Sequence, residues 1–182
     1  MRICVFGAGA IGGNFAARLA AAGNEVSVVA RGAHLEAIRA RGLTLLTGDK
    51  KIVAPIQASD RPADLGPQDV VISTLKASSL GDLGESVGPL LRADSQVVFA
   101  QNGIPWWYGT GLAMGRPKAP DLSRLDPGGT LAKAVGFERT LGGVARAPLV
   151  AALVQAAGRR AWREWSLQVE DSRLLRCVCG GS

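Results

Sequence analysis

The sequence predicts an α/β fold with a doubly wound, mostly parallel sheet. Three observations lead to this prediction. Strand-like and helical segments alternate along the first hundred residues, which is the pattern of a sheet covered by helices. The segments at residues 69–75 and 96–100 are apolar without alternation, which is typical of strands buried on both faces. A G-x-G-x-x-G pattern joins the first strand to the first helix.

The first strand and helix enclose this glycine pattern. Residues 3–6 are apolar, residues 11–22 are alanine-rich, and the sequence FGAGAIGG joins them. In a Rossmann βαβ unit the first glycine allows a tight turn, the second lets the backbone approach a pyrophosphate, and the third lets the helix pack against the strand. Because 24 glycines make chance matches easy, the flanking elements carry the prediction. We predict a Rossmann-like dinucleotide site at Gly7, Ala8, Gly9, Ala10, Ile11 and Gly12.

Arg31 follows the second predicted strand, residues 25–30, directly. An NAD-specific fold usually places Asp or Glu here, to bind the ribose 2′-hydroxyl. An arginine prefers a 2′-phosphate, and a charge-assisted hydrogen bond of roughly 1.5–3 kcal/mol would favour NADP over NAD by roughly tenfold to a hundredfold. The predicted cofactor is therefore NADP(H). The alternative is a solvated loop arginine, because Arg39 and Arg41 show that arginine is common in this region.

The other elements follow from hydrophobic periodicity and turn residues. They are a helix over residues 33–41, strands over residues 43–46 and 51–54 with a turn at Gly48-Asp49, the strand over residues 69–75, a weak helix capped by Ser78 or Ser79 and running to about residue 91, and the strand over residues 96–100.

Polar residues follow the two later strands. Lys76 comes after the first of them and Asn102 after the second. Ligands of doubly wound sheets bind outside the carboxyl ends of the strands, where the glycines and Arg31 are also expected. Lys76 and Asn102 are therefore candidate cofactor-binding residues. The alternatives are a solvated lysine at one position and a tight Asn102-Gly103 turn at the other.

These segments together resemble the 2-dehydropantoate 2-reductase (ketopantoate reductase) family. The resemblance rests on FGAGAIGG, VVAR, VVISTLKA and QNGIPWWY and covers residues 1 to about 143. The family reduces 2-dehydropantoate to pantoate with NADPH, a step towards pantothenate and coenzyme A. The resemblance implies that residues 7–12 bind the pyrophosphate and Arg31 the 2′-phosphate, that Lys76 lies beside the cofactor, and that Asn102 lines the nicotinamide and substrate region.

The resemblance also concerns the substrate and the catalytic acid. It gives Trp106 and Trp107 a place by the substrate cleft, although paired tryptophans also pack loops. Hydride transfer to a ketone requires an acid to protonate the oxygen. The family takes this acid from a lysine in a second, helical domain, with a glutamate that helps to hold the substrate. Lys118 and Lys133, which are the lysines beyond Asn102, do not match that position. We assign no catalytic residue.

From about residue 144 the sequence no longer resembles the family. We divide the chain into a dinucleotide-binding domain, residues 1–143, and an atypical tail, residues 144–182, and expect the helical domain to be missing. Two accounts of the tail are open: a docking helix interrupted at Gly158, or a truncated or frame-shifted sequence that was never selected to fold. The predicted apolar face of that helix is Leu149, Leu153, Ala157, Ala161 and Trp165.

Composition limits the other classes of function. Of the net charge of +6, half lies in the last 39 residues, and residues 1–143 carry 15 basic against 12 acidic side chains without a basic stripe. We therefore expect no nucleic-acid partner.

No apolar run approaches the roughly 18 residues of a membrane span, and no secretory signal is evident, so we expect no membrane partner and a cytoplasmic protein. Cys4 reads as a core residue, and Cys177 and Cys179 with His34 are too few ligands for structural zinc, so we expect no metal.

Three functions remain open at this point. The chain is an NADPH-dependent reductase of the ketopantoate type represented mainly by its cofactor-binding half, a non-catalytic NADP-binding module, or a reductase of another small 2-keto acid. The expected partner is accordingly a small 2-keto acid, and a homo-oligomer is left open.

Overall fold

The computed structural model describes residues 1–47, 50–110, 121–143, 166–167 and 175–176. The helices are α1 (Ala10–Ala21), α2 (Gly32–Arg41), α3 (Leu80–Ser86) and α4 (Thr130–Ala134). The strands are β1 (Arg2–Phe6), β2 (Glu25–Val29), β3 (Leu43–Thr47), β4 (Lys50–Ala54), β5 (Gln57–Ser59), β6 (Val70–Ser73), β7 (Gln96–Ala100), β8 (Thr140–Gly143), β9 (Ser166–Leu167) and β10 (Leu175–Arg176). Single 3-10 turns lie at Pro62–Leu65, Ala77–Ser79, Gly88–Leu90 and Pro127–Gly129.

Six strands form one sheet in the order β5-β2-β1-β6-β7-β8. All five pairings in this sheet are parallel. The chain runs from β1 outwards to β2 and β5, and later from β6 outwards to β7 and β8, so the strand order reverses between β1 and β6. The predicted doubly wound, Rossmann-like fold is confirmed, and the crevice at this reversal is the place where such sheets bind ligands.

The strands are apolar because helices cover both faces of the sheet. On β1, Ile3 and Val5 pack into a core with α1 and α2, whereas Cys4 and Phe6 pack into a second core with α3 and α4. All four residues of β6 are buried. The absence of a polar face at β6 agrees with the continuous apolar run from which this strand was predicted.

The helix predicted from Ser78 or Ser79 to about residue 91 is shorter than expected. Ser79 occupies the N-cap position of α3, but its side chain makes no capping hydrogen bond, and the α-helix ends at Ser86. A separate 3-10 turn follows at Gly88–Leu90. Pro89 explains the break, because proline has no N–H to donate and disfavours helical geometry at the preceding residue.

Within residues 1–143, two short strands and one short α-helix were not predicted. These are the edge strands β5 and β8, of three and four residues, and the five-residue helix α4. The two predicted strands at residues 43–46 and 51–54 are confirmed as β3 and β4, an antiparallel pair whose residues pack against α1. The Gly48-Asp49 turn between them lies outside the described residues.

In the tail, β9 and β10 form an antiparallel pair. The helical face predicted for residues 149–165 lies outside the described residues, and the division of the chain at residue 143 remains a prediction. Among the parts of the chain that the structure describes, no helix is both long enough and apolar enough to cross a bilayer.

Candidate functional site

The glycine loop, residues 7–12, connects β1 to α1 and is tightly packed on its inner side. Gly7 has φ +100°, which side-chain-bearing residues rarely adopt, and its N–H donates to the carbonyl of Val29 at 3.0 Å. A Cβ atom on Gly12 would lie 1.9 Å from the Gly7 carbonyl oxygen and 2.5 Å from Thr74 Oγ1. The close approach of helix to loop therefore requires glycine at position 12.

The outer side of the same loop is open. Gly9 is the N-cap of α1, and a Cβ atom built on it meets nothing within 4 Å. Gly9, Ala10 and Ile11 are exposed. The first N–H groups of an α-helix have no partner within the helix, and together with the helix dipole they attract anions. Packed within and open outside, the loop has the form of a pyrophosphate cradle.

Two side chains that sequence reasoning missed hold the loop in place. The Thr74 hydroxyl donates to the carbonyl of Gly7 at 2.6 Å, and His34 Nε2 lies 2.7 Å from the carbonyl of Ala8. The carbonyl can only accept, so Nε2 carries the proton in this contact. A polar residue directly after β6 and a histidine in the first turn of α2 are weak signals, because both contacts depend on the tertiary fold.

Arg31 lies at the N-terminus of α2, directly beyond Ala30 and β2, as predicted. Together with Gly9 and His34 it lines a small cleft of about 170 Å³ beside the glycine loop. Its guanidinium Nη2 donates to Asp82 Oδ2 at 3.2 Å, and the two side chains are 70% and 56% exposed. The structure thus brings Arg31 and the glycine loop to one cleft, and the Asp82 carboxylate is paired with this arginine.

Lys76 and Asn102 are both exposed and follow the next two strands, β6 and β7. Neither side chain has a hydrogen bond or ion pair with any residue that the structure describes. The strand order places the segments of Arg31, the glycine loop, Lys76 and Asn102 beyond four adjacent strands, β2, β1, β6 and β7, at one edge of the sheet. Gly103 has φ +108°, so the chain turns sharply after Asn102.

The two tryptophans have different surroundings. Trp106 is buried in the core, with its ring centroid 5.9 Å from that of Phe99 in an edge-to-face arrangement. Trp107 is partly buried, packs in a tilted arrangement with its ring centroid 5.2 Å from that of Phe99, and lines a groove of about 330 Å³ with Gln101 and Tyr108. Trp106 therefore packs the loop, whereas Trp107 faces a groove near the end of β7.

A larger cavity of about 440 Å³ lies at the opposite edge of the sheet, where Arg2, Glu25 and Gln57 begin their strands. Size alone does not make it the functional site, because ligands of doubly wound sheets bind at the carboxyl ends of the strands. The helix N-termini that can point at a ligand also lie at the carboxyl ends of the strands. We therefore place the candidate site at the glycine loop rather than in the larger cavity.

The other potentially reactive side chains are buried, are hydrogen-bonded within the fold or lie outside the described residues. Cys4 is fully buried in β1, as predicted, and burial raises the pKa of its thiol to about 12. The Lys133 ammonium donates to the carbonyl of Gly128 at 3.1 Å. Lys118 lies outside the described residues. Within the described ranges, no three His, Cys, Asp or Glu side chains are grouped closely enough to hold a metal ion.

Comparison with known proteins shows which family the chain resembles. The family described as ketopantoate reductase PanE/ApbA matches residues 3–105. A 2-dehydropantoate 2-reductase from Mesorhizobium japonicum is 46% identical over 145 residues, which are 79% of this chain and 44% of that protein. One from Pyrococcus horikoshii is 36% identical over 104 residues, covering 57% of this chain and 34% of that protein.

The fold of the chain is also similar to that of a solved structure. The structure of a candidate ketopantoate reductase from Ralstonia solanacearum MolK2 superposes with a TM-score of 0.71 at 40% identity, covering 80% of this chain and 44% of that one. The chain thus spans less than half the length of the curated relatives described above. With the family pattern matching more than half of its residues, the chain belongs to the PanE/ApbA ketopantoate reductase family.

Proposed function

We propose that this chain is the cofactor-binding portion of an NADPH-dependent reductase that converts 2-dehydropantoate to pantoate. The observation that carries the proposal is the glycine loop, whose inner side excludes a Cβ atom at Gly12 and whose outer side is open at Gly9. The same cleft is lined by Arg31. A cradle for a pyrophosphate with a guanidinium beside it suits a dinucleotide that carries a further phosphate.

The proposed roles follow the strand order. The N–H groups at the start of α1 bind the pyrophosphate, and Arg31 binds the 2′-phosphate. Lys76 lies beside the cofactor on the next strand end, and Asn102 orients the nicotinamide and the keto acid. The β1 and β7 ends are two strand spacings apart, about 10 Å. The glycine loop and Asn102 are therefore close enough to contact one dinucleotide.

A nicotinamide cofactor held at this edge would supply a hydride to the ketone carbon. The chain's own contribution is to hold the cofactor at the sheet edge and to offer a groove for the substrate near Gln101 and Trp107. The Gln101 side-chain oxygen is buried without a partner among the described residues, and aromatic side chains, Trp107 and Tyr108 among them, line part of the same groove. The acid that protonates the ketone oxygen is not assigned to any residue of this chain.

The cofactor part of the proposal is tested by fluorescence titration of the 182-residue chain with NADPH and NADH, alongside Arg31→Ala. We expect saturable NADPH binding and a loss of roughly tenfold to a hundredfold in NADPH affinity in the variant, the loss expected for one charge-assisted hydrogen bond. NADH affinity should change little. Circular dichroism checks that both proteins are folded. A folded wild-type chain that binds neither nucleotide contradicts the proposal.

The catalytic part needs a separate measurement. NADPH oxidation is followed at 340 nm (about the nicotinamide absorption maximum) with 2-dehydropantoate and, for comparison, with another small 2-keto acid, after confirming nucleotide binding. Turnover with 2-dehydropantoate supports the reductase. Binding without turnover shows that the 182-residue chain does not catalyse the reduction by itself, and preference for the second keto acid corrects the substrate.

A further inference from the structure

We propose that Asp82 weakens the grip of Arg31 on a 2′-phosphate and thereby sets how strongly this chain prefers NADP(H) over NAD(H). This inference rests on the proposed function, because it concerns the same cofactor site. The Asp82 carboxylate accepts a hydrogen bond from the Arg31 guanidinium, so a phosphate must compete with the carboxylate for this guanidinium. Asp82 is thus a specificity-determining residue that acts through Arg31.

The position of the ion pair is the first argument. Arg31 follows β2, and Asp82 lies in the first turn of α3, which follows β6. These two strands flank β1, which carries the glycine loop. The 3.2 Å contact between Arg31 Nη2 and Asp82 Oδ2 therefore links segments on the two sides of the strand that leads into the cofactor cleft.

The exposure of the pair is the second argument. With 70% and 56% of their side chains exposed, Arg31 and Asp82 form a pair of the class that contributes little to folding stability. Solvent reaches both groups, so a phosphate oxygen can replace the carboxylate without unfolding a packed contact. The side chain of Asp82 can thus be changed with little effect on the fold.

The chemistry of the two anions is the third argument. A guanidinium offers a fork of N–H donors that fits either a carboxylate or a phosphate, so the two compete for the same atoms. The Asp82 carboxylate also repels the phosphate, because both groups carry negative charge and would lie beside the same guanidinium. Both effects lower the affinity for a 2′-phosphate, and neither applies to a free 2′-hydroxyl.

Contacts that do not involve the Asp82 carboxylate hold α3 in position. Ser86 Oγ donates to the backbone carbonyl of Asp82, a bond that a side-chain change leaves in place. Leu80 and Leu83 anchor the helix in the core. Glu85, one turn further along, is exposed and serves as the matched control, because Glu85→Gln removes the same charge from the same helix.

The test measures nucleotide affinities of the full 182-residue chain, of Asp82→Asn and of Glu85→Gln. The probes are adenosine 2′,5′-bisphosphate and adenosine 5′-monophosphate by calorimetry, with NADPH and NADH by fluorescence. For Asp82→Asn we expect affinity for the two 2′-phosphorylated nucleotides to rise about threefold to tenfold at low salt, with less than about a twofold change for the other two. The gain should shrink as added salt screens the charges.

The controls separate this proposal from the proposed function. Asp82→Glu, which keeps the carboxylate, should retain most of the wild-type preference. An unchanged or weaker affinity of Asp82→Asn for NADPH overturns the role of Asp82 while leaving an NADPH-binding wild-type chain intact. An equal gain in Glu85→Gln also overturns it, because the effect would then be one of general charge. A folded wild-type chain that binds no nucleotide overturns both proposals together.

Discussion

The glycine loop and the two strand ends beyond β6 and β7 lie at the same edge of the sheet, but they are held in different ways. Thr74, Leu75 and His34 contact the loop, and its backbone carbonyls accept hydrogen bonds at 2.6 and 2.7 Å. Lys76 and Asn102 are exposed, and their side chains have no partner among the described residues.

This difference separates two ways of building a site. The inner side of the loop is shaped by packing before any ligand arrives, so changes on that side affect both folding and binding. The side chains at the two strand ends are free to meet a ligand, so changes there should affect binding alone. The predictions below test that division, from the largest expected effect to the smallest.

Gly12→Ala should have the largest effect. Its Cβ atom would lie 1.9 Å from the Gly7 carbonyl oxygen, so helix and loop must move apart. We expect the free energy of unfolding to fall by about 3 kcal/mol, the upper end for overpacking, and NADPH binding to be lost. Urea denaturation and NADPH titration measure the two effects.

Gly9→Ala is the matched control in the same loop. Gly9 has φ −66° and open space around its Cβ position, so alanine fits and the unfolding free energy should change by less than about 1 kcal/mol. NADPH affinity should nevertheless fall, because the methyl group projects into the space through which a pyrophosphate approaches. Equal stability losses in the two variants would contradict the inner and outer sides assigned to the loop.

Thr74→Val should have the next largest effect. The variant keeps the shape of the side chain but removes the 2.6 Å hydrogen bond to the Gly7 carbonyl. We expect a stability loss of about 1–2 kcal/mol, as for a buried acceptor left unpaired, together with weaker NADPH binding.

Thr140→Val provides the comparison for this prediction. Thr140 makes a similar bond, 2.7 Å to the Gly136 carbonyl, at the amino end of β8 and away from the cleft. It should lose comparable stability and keep its NADPH affinity. If Thr140→Val weakened NADPH binding as much as Thr74→Val does, a general loss of stability would explain both results.

Lys76→Met and Asn102→Ala should affect binding alone. Because both side chains are exposed and unpartnered within the described residues, the unfolding free energy should change by less than about 0.5 kcal/mol. Removal of the lysine charge should weaken NADPH binding by about tenfold, the value of one charge-assisted hydrogen bond. A marked loss of stability with unchanged affinity would assign Lys76 to the fold instead.

The smallest effect is expected when Cys4 is exposed to a thiol-labelling reagent. Burial raises the pKa of its thiol to about 12, so the folded chain holds it as the unreactive neutral thiol near pH 8. In the unfolded chain the thiol ionises near pH 8.5. Its contribution to the free energy of unfolding is therefore fully present below about pH 8.5 and is lost as pH rises towards 12. Site-resolved mass spectrometry after thiol labelling should leave Cys4 unmodified; rapid labelling would show that β1 opens readily.

The fold could be predicted largely from patterns that are local in the sequence. The apolar runs of β6 and β7 and the glycines after β1 each carry their own signal. The edge strand Gln57–Ser59 has three residues, too few to establish a period, and the strand Thr140–Gly143 ends in two glycines, which are poor strand formers. The break in α3 was predictable in principle from Pro89, but the hydrophobic spacing around it favoured one longer helix.

The site was predictable at the level of backbone positions, not of side-chain contacts. The spacing of Arg31 from the glycines placed it at the cleft, because strand ends in a parallel sheet meet at one edge. Its pairing with Asp82, 51 residues away, depends on how α3 sits after β6, as the contact of His34 with Ala8 depends on α2. Such contacts arise from the tertiary fold and leave no periodic trace in the sequence.

Amide hydrogen exchange of the 182-residue chain with and without NADPH tests the central claim most directly. The account predicts slower exchange in peptides covering residues 7–13, 31–34 and 74–77, at the carboxyl edge, and unchanged exchange where Arg2, Glu25 and Gln57 line the larger cavity of about 440 Å³. Protection at that opposite edge, or saturable NADPH binding without protection of the glycine loop, would contradict it.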